Sequence, residues 1–192
     1  MSVAEHLASA RTNPFPHSVA HRLLPPTLVD QTLDWFEEGA SWRLQIESFY
    51  EQYELNLQRV ELPPQLRPLV AEETIDHIAS QMLSPLTSDE LALVEVNAHK
   101  LLPGQTIRIH NDYIGDAETY RILVQLNRGW SDKMGGMLML FSSPNVEDIA
   151  RLLRPVHGSA TAFEISPASY HAVSTIQSGE RYTLVYSFRR VH

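Results

Sequence analysis

Apolar positions recur at helical spacing early in the chain and in short, turn-bounded runs after it. In residues 27–38, Leu28, Gln31 and Trp35, with Val29, Leu33 and Phe36 alongside, form one stripe. Pro26 precedes this predicted helix and Gly39 is placed to end it. After breaks at Pro63, Pro64 and Pro68, a second helix is predicted over residues 69–83, with Val70, Thr74, Ile78 and Met82 on one side. Residues 11–26 carry Pro14, Pro16, Pro25 and Pro26 and predict an irregular entry. Residues 42–60 alternate loosely, with Trp42, Phe49, Tyr50 and Tyr53, and predict one or two strands.

From residue 91 the runs shorten. Strands are predicted over 91–97, 106–110, 120–126, 137–141, 159–165, 171–175 and 181–188. Turn residues separate them, among them Pro103-Gly104, Gly115-Asp116, Gly135-Gly136 and Ser178-Gly179. A short helix is predicted over residues 146–153. Helices first and strands afterwards give an α+β chain with a mainly β core, a sandwich or barrel, and N-terminal helices packed outside it. The expected organisation is one domain over residues 1–192, with 1–90 as mixed support and 91–192 as the β core that carries the site.

Composition narrows the classes. With 15 Lys and Arg against 23 Asp and Glu, the formal charge is -8, which argues against a nucleic-acid footprint. A local basic pocket for a small anion remains compatible with that balance. Cysteine is absent, so disulfides, thiolate metal sites and thiol catalysis are excluded. Any metal must be held by His, Asp or Glu. No signal-peptide pattern and no stretch of membrane-spanning length is visible, so the expected location is cytoplasmic, with no membrane partner.

Among the residues able to do chemistry, His110 and Asp112 are two apart. In an extended strand they would project together, an imidazole and a carboxylate available to one metal. Alone, such a pair is most often an ordinary hydrogen-bonded pair. His171 and, beyond it, Arg181 change the weight. Two His and one carboxylate with open positions opposite them form the facial triad of non-haem iron(II) oxygenases. Their co-substrate 2-oxoglutarate is a dianion whose far carboxylate needs a cation, and the planar fork of Arg suits it. On the strand over 181–188, Arg181, Thr183, Val185 and Ser187 share one face, and Tyr182, Leu184, Tyr186 and Phe188 the other. The second face is expected against helices. The first is expected toward a cavity, with the Thr183 hydroxyl beside Arg181.

His110, Asp112, His171 and Arg181 together resemble the iron(II)/2-oxoglutarate-dependent dioxygenase superfamily, nearest its prolyl-hydroxylase-like branch. The segments over 120–130, 135–141 and 171–183 resemble that branch's strand with a Leu-Asn turn and Trp, its Gly-Gly strand and its closing segment. The run Leu101-Leu102-Pro103-Gly104 also resembles the aspartyl/asparaginyl hydroxylases, so the subfamily stays open. The resemblance implies a double-stranded β-helix, or jelly-roll. It further implies Fe(II) held by His110, Asp112 and His171, and 2-oxoglutarate held by Arg181 and Thr183. Gln125 stands where the family often has a Tyr that touches the co-substrate. The implied reaction couples O₂ and conversion of 2-oxoglutarate to succinate and CO₂ with hydroxylation of an unactivated C–H bond; ascorbate would be an accessory reductant.

The substrate is either a peptide or protein side chain, or a free amino acid or natural-product small molecule. A non-catalytic metal- or ligand-binding jelly-roll is a third reading, which the complete set of triad and Arg181 opposes. Strand parity nominates Arg108 and Arg121 for an anionic group on the substrate, against a salt bridge on a solvated edge for each. Residues 113–118 are expected to form a mobile loop over the metal. Trp130 is expected as core packing. His6, His17, His21, His77, His99, His157 and His192 show no partner pattern and are not expected as ligands.

Overall fold

Two facing antiparallel sheets carry the chain, as a computed structural model that describes residues 8–191. Two of the non-ligand histidines, His6 and His192, lie outside the described residues. The larger sheet has the order β1-β2-β10-β7-β12-β5-β4-β3 and the smaller β6-β11-β8-β9. Their members are β1 (Ser9–Arg11), β2 (His17–Ala20), β3 (Arg43–Ile46), β4 (Glu51–Asn56), β5 (Leu91–Leu101) and β6 (Ile107–His110). The rest are β7 (Tyr120–Gln125), β8 (Leu138–Phe141), β9 (Ile149–Leu153), β10 (Ala160–Glu164), β11 (His171–Val173) and β12 (Arg181–Arg190). Two helices, α1 (Pro26–Glu38) and α2 (Glu72–Met82), pack outside the larger sheet.

The two-residue alternation of β12 explains the layering. Tyr182, Leu184, Tyr186 and Phe188 join the core beneath the helices, with Leu28, Leu33, Phe36, Ile78 and Met82. Phe36 stacks on Tyr182 at 6.0 Å, and the Tyr186 hydroxyl donates to the Leu69 carbonyl at 2.9 Å. On the opposite face, Val185 joins a second core between the sheets, with Leu123, Leu138, Leu140, Phe163 and Val173. The predicted division of that strand into two faces is therefore the division between the two cores.

Several sequence expectations are corrected. Residues 146–153 do not form a helix: Ile149–Leu153 is an edge strand paired with β8. A short run of mixed apolar and charged residues has no decisive period, and the β8 edge satisfies its backbone as a strand. Residues 11–26 are not wholly irregular, since β2 pairs with both β1 and β10. Pro14 and Pro16 lie just ahead of β2, where they leave its ladder intact. The second helix begins at Glu72, after a separate 3-10 segment over Pro64–Val70. Gly39 does follow α1, but with φ of -127°, so no left-handed turn demands it. β5 runs on to Leu101, four residues past its expected end at Asn97.

Candidate active site

Between the sheets lies a cavity of about 440 Å³. The smaller sheet supplies two of its three lining histidines, and β5 of the larger sheet supplies the third, His99. β11 is flanked by β6 and β8, and His171 sits directly opposite His110 in the β6 ladder. The pairing then slips, since Val173 meets Ile107, so β6 carries an extra residue between the two pairs. This bulge turns both Ile107 and His110 to the cavity and leaves Arg108 exposed, outside the lining.

Asp112 reaches the histidines by a turn and not by strand alternation. β6 ends at His110, and Asp112 has φ of 57°, the left-handed region that Asp tolerates better than most residues. Ser169 holds that turn: its hydroxyl donates to the Asn111 carbonyl at 3.0 Å. The Asn111 side chain donates to the Pro167 carbonyl at 3.2 Å and accepts from the Tyr113 amide at 3.1 Å.

The histidine rings are oriented from behind. Nδ1 of His110 donates to the Arg108 carbonyl and Nδ1 of His171 to the Ser169 carbonyl, each at 2.8 Å. A carbonyl only accepts, so Nδ1 carries the proton and Nε2 presents its lone pair. Both Nε2 atoms face Asp112, at 3.4 Å from Oδ1 for His110 and 3.0 Å from Oδ2 for His171. The three ligand atoms lie within 4.8 Å of one another. Neighbouring donors at right angles around a first-row metal, each about 2.1 Å from it, stand about 3.0 Å apart. The donor set and its spacing therefore fit one Fe(II). Phe49 stacks on His110 at 4.4 Å and Phe163 lies 4.8 Å from the His171 ring, closing the apolar side.

Arg121 grips Asp112 from the other side. Its Nη1 meets Asp112 Oδ2 at 2.5 Å, while Nε and Nη2 meet Glu118 at 2.8 and 2.7 Å. Burial would raise the Asp112 carboxyl, but the Arg121 guanidinium beside it holds it well below the usual carboxylate range. Arg121 thus lines the cavity as parity suggested, with its charge committed to two carboxylates and none left for a substrate anion. In the 113–118 segment, Tyr113 and Ile114 are exposed and Ile114 borders the cavity, while Glu118 is the Arg121 partner.

At the far end of the cavity, Arg181 is 3% exposed. Its Nε donates to the Gly136 carbonyl at 2.9 Å and its Nη1 to Thr183 Oγ1 at 2.7 Å. Thr183 in turn donates to Gln125 Oε1 at 3.2 Å, so Gln125 supports the arginine without lining the cavity. No carboxylate among the described residues pairs with Arg181, and burial pulls its pKa down to about 10. A buried cation without a counter-ion is costly, and an anionic ligand is what relieves it. Gly136 makes the approach possible: with φ of 67°, any Cβ there would stand 2.9 Å from Arg181 Cδ and 3.0 Å from the Trp130 ring.

The cavity and its surroundings also set a pH response. Burial is the largest cause lowering the pKa of His17, of His171 and of His99, the last to about 4. The unfolded chain therefore takes up protons as pH falls through about 6.5, while the native chain takes them up only at lower pH, for His99 at about 4. Stability falls from about pH 6.5 toward pH 4. Asp112, held low, contributes stability above about pH 4 that is lost only below it. For metal-free protein in chelator, urea unfolding at pH 5 should show a stability about 2 kcal/mol below that at pH 7.5; equal midpoints and slopes would contradict the buried neutral histidines.

Residues 95–189 match the family described as the 2OG-Fe(II) oxygenase superfamily. The chain belongs to that superfamily. This oxygenase carries the His110, Asp112 and His171 cluster as its facial-triad candidate, and the family together with that cluster implies Fe(II) and 2-oxoglutarate. No curated protein sequence matches it significantly. Its fold is similar to a Pseudomonas putida prolyl-4-hydroxylase at TM-score 0.69 and 20% identity, covering 92% of this chain and 93% of that one. A Trichoplax adhaerens prolyl hydroxylase, in complex with a hypoxia inducible factor oxygen degradation domain peptide fragment, matches at TM-score 0.74 and 15% identity. Coverage there is 91% and 83%. The viral collagen prolyl hydroxylase of Paramecium Bursaria Chlorella virus-1, as its 2OG complex, matches at TM-score 0.63 and 17% identity, covering 91% and 96%. At these identities the likeness shows the fold, the double-stranded β-helix.

Site residues that the sequence did not disclose are Ser169, Phe49, Gly136 and Glu118. Each acts across the fold through a hydrogen bond, a ring contact or a close approach. Only the Gly-Gly pair at 135–136 carried a local signal.

Proposed function

We propose that this oxygenase hydroxylates an unactivated C–H bond of a peptide or protein side chain, consuming 2-oxoglutarate and O₂ and releasing succinate and CO₂. The observation that carries the proposal is one cavity with two complementary ends: a His-Asp-His cluster at one and the unpaired, buried Arg181 at the other. In this reading His110, Asp112 and His171 hold Fe(II), and Arg181 with Thr183 receives the far carboxylate of 2-oxoglutarate. Fe(II) with 2-oxoglutarate supplies the oxidising power when bound.

The chain's own groups do the rest. The Arg108 and Ser169 carbonyls keep the two Nδ1 protons in place, so both Nε2 lone pairs stay available. Arg121 fixes one face of the Asp112 carboxylate. The Thr183 hydroxyl accepts from Arg181 and donates to Gln125, which leaves the remaining guanidinium N–H groups for the co-substrate. Phe49, Phe163, Leu138 and Val173 line the cavity with apolar surface and exclude water. Ascorbate would serve only to return oxidised iron to Fe(II).

The peptide complex of the Trichoplax adhaerens protein supports a polypeptide substrate. The modest cavity volume favours the second reading, the same chemistry on a free amino acid or other small molecule. Incubation with Fe(II), 2-oxoglutarate, O₂ and mixed peptide and small-molecule pools decides the chemistry. Succinate released in step with a product heavier by one oxygen is expected; binding of both cofactors without succinate from any pool would overturn it.

A further inference from the structure

The cavity has a wall that the proposed cofactors leave unused. It is built from β4, β5 and the turn before β4, and Glu47, Gln52, Glu54 and Glu95 line it. The ladders place Glu54 opposite His99, His99 opposite Thr183 and Glu95 opposite Ser187, all cavity-lining residues. Both carboxylates therefore stand on the inner face of the large sheet, beside the co-substrate end and toward Arg121 respectively.

Their partners are neutral. Tyr50 Oη at 3.2 Å and Gln52 Nε2 at 2.7 Å donate to Glu54, and Asn56 Nδ2 donates to Glu95 at 3.3 Å. Among the described residues no Lys, Arg or His forms an ion pair with Glu47, Glu54 or Glu95. The cations that line the cavity are committed elsewhere: Arg121 to Asp112 and Glu118, Arg181 to the co-substrate carboxylate. His99, the basic group facing Glu54, is kept neutral by burial. The Tyr50 phenol, pushed up by burial and by Glu54, Glu47 and Asp112, keeps its proton.

An independent feature points the same way. Gln52 is 3% exposed, and its Oε1 has no hydrogen-bond donor among the described residues. The amide is fixed in that sense, because the Glu54 carboxylate accepts and must meet the amide N–H. A buried acceptor left without a donor costs about 1–3 kcal/mol, which an incoming N–H removes.

The charges in the filled cavity do not balance. A divalent metal, Asp112, the 2-oxoglutarate dianion and Arg181 together are neutral, and Arg121 cancels Glu118. The carboxylates of the wall remain uncompensated, with Glu54 and Glu95 half-buried in the cavity and Glu47 exposed. We propose that the substrate carries a cationic nitrogen, an ammonium or a guanidinium, and that this acidic wall receives it. The inference rests on the oxygenase reading above, since that reading fills the rest of the cavity.

The test uses full-length protein with Fe(II), 2-oxoglutarate and O₂. The probes are Nα-acetyl-L-lysine and Nα-acetyl-L-arginine against Nα-acetyl-L-norleucine and Nα-acetyl-L-citrulline, and capped Gly-Lys-Gly and Gly-Arg-Gly against the same peptides with norleucine and citrulline. Succinate release and oxygenated product are expected from members carrying a cationic nitrogen, and not from the uncharged isosteres. E54Q should raise KM for the active member about tenfold or more, the loss expected for a charge-assisted hydrogen bond. Its affinities for Mn(II) and 2-oxoglutarate, measured without turnover, should match the native protein's. Equal stimulation by uncharged isosteres would overturn the proposal. So would no stimulation by any cationic member in protein that binds Mn(II) and 2-oxoglutarate, or an unchanged KM in both E54Q and E95Q. A second equivalent of bound Mn(II) that E54Q abolishes would show a metal on the wall and overturn it as well. Protein that binds neither Mn(II) nor 2-oxoglutarate is a separate result, which removes the oxygenase reading and this proposal with it.

Discussion

His171→Ala is expected to bind Fe(II) at least about 100-fold more weakly and to release no succinate above background. The ring is 4% exposed, its Nδ1 proton is committed to Ser169, and its Nε2 stands 3.0 Å from Asp112. Removing it takes one donor of three and leaves Asp112 paired with Arg121, a cation that now competes with the metal without opposition. Metal titration followed by circular dichroism separates the two contributions. A folded variant that binds Fe(II) with native affinity would place the metal elsewhere. The substitution also empties space beside Phe163 and His110, so a lower melting temperature is expected for the metal-free variant.

Arg181→Met is expected to separate binding from stability. The native guanidinium is buried without a counter-ion among the described residues, and a shift of its pKa to about 10 corresponds to about 3 kcal/mol lost by the charged form. Methionine fills similar space without that cost, although the Gly136 carbonyl loses its donor. The metal-free variant should therefore melt no lower than the native protein, or nearly so. Its 2-oxoglutarate affinity should fall about 100-fold or more, the loss expected when a bidentate charge-assisted contact is removed. In thermal melts with Mn(II), 2-oxoglutarate should raise Tm for the native protein and not for the variant. Native 2-oxoglutarate affinity in this variant would remove Arg181 from the co-substrate site.

The two ends of the site were legible for different reasons. Arg181 and Thr183 are two residues apart on β12, and plain alternation puts them on one face and Tyr182 and Leu184 against the helices. The convergence of His110, Asp112 and His171 was legible as a set, but strand alternation was the wrong reason for it. A left-handed Asp112 beyond the end of β6 brings the carboxylate to the histidines. The bulge in β6 likewise turned Arg108 away from the cavity, which parity counting along a regular strand could not register. β2 was hidden behind Pro14 and Pro16, and β9 by a run too short to show its period.

The acidic wall left no trace in local pattern. Glu54 and Glu95 belong to strands that the chain separates by a 3-10 segment and a helix, and only the β4–β5–β12 register sets them on one surface. The same holds for Arg121, whose commitment to Asp112 and Glu118 depends on how the 113–118 segment turns. Local periodicity reports which face of an element is buried. It does not report which elements share that face.

The most direct test of the account is an anaerobic calorimetric titration of the native chain, first with Fe(II) and then with 2-oxoglutarate. One Fe(II) per chain is expected, lost in His110→Ala, Asp112→Ala and His171→Ala alike. Binding of 2-oxoglutarate is expected to require both the metal and Arg181. Stoichiometric Fe(II) binding that survives all three substitutions would contradict the account, as would 2-oxoglutarate binding indifferent to metal.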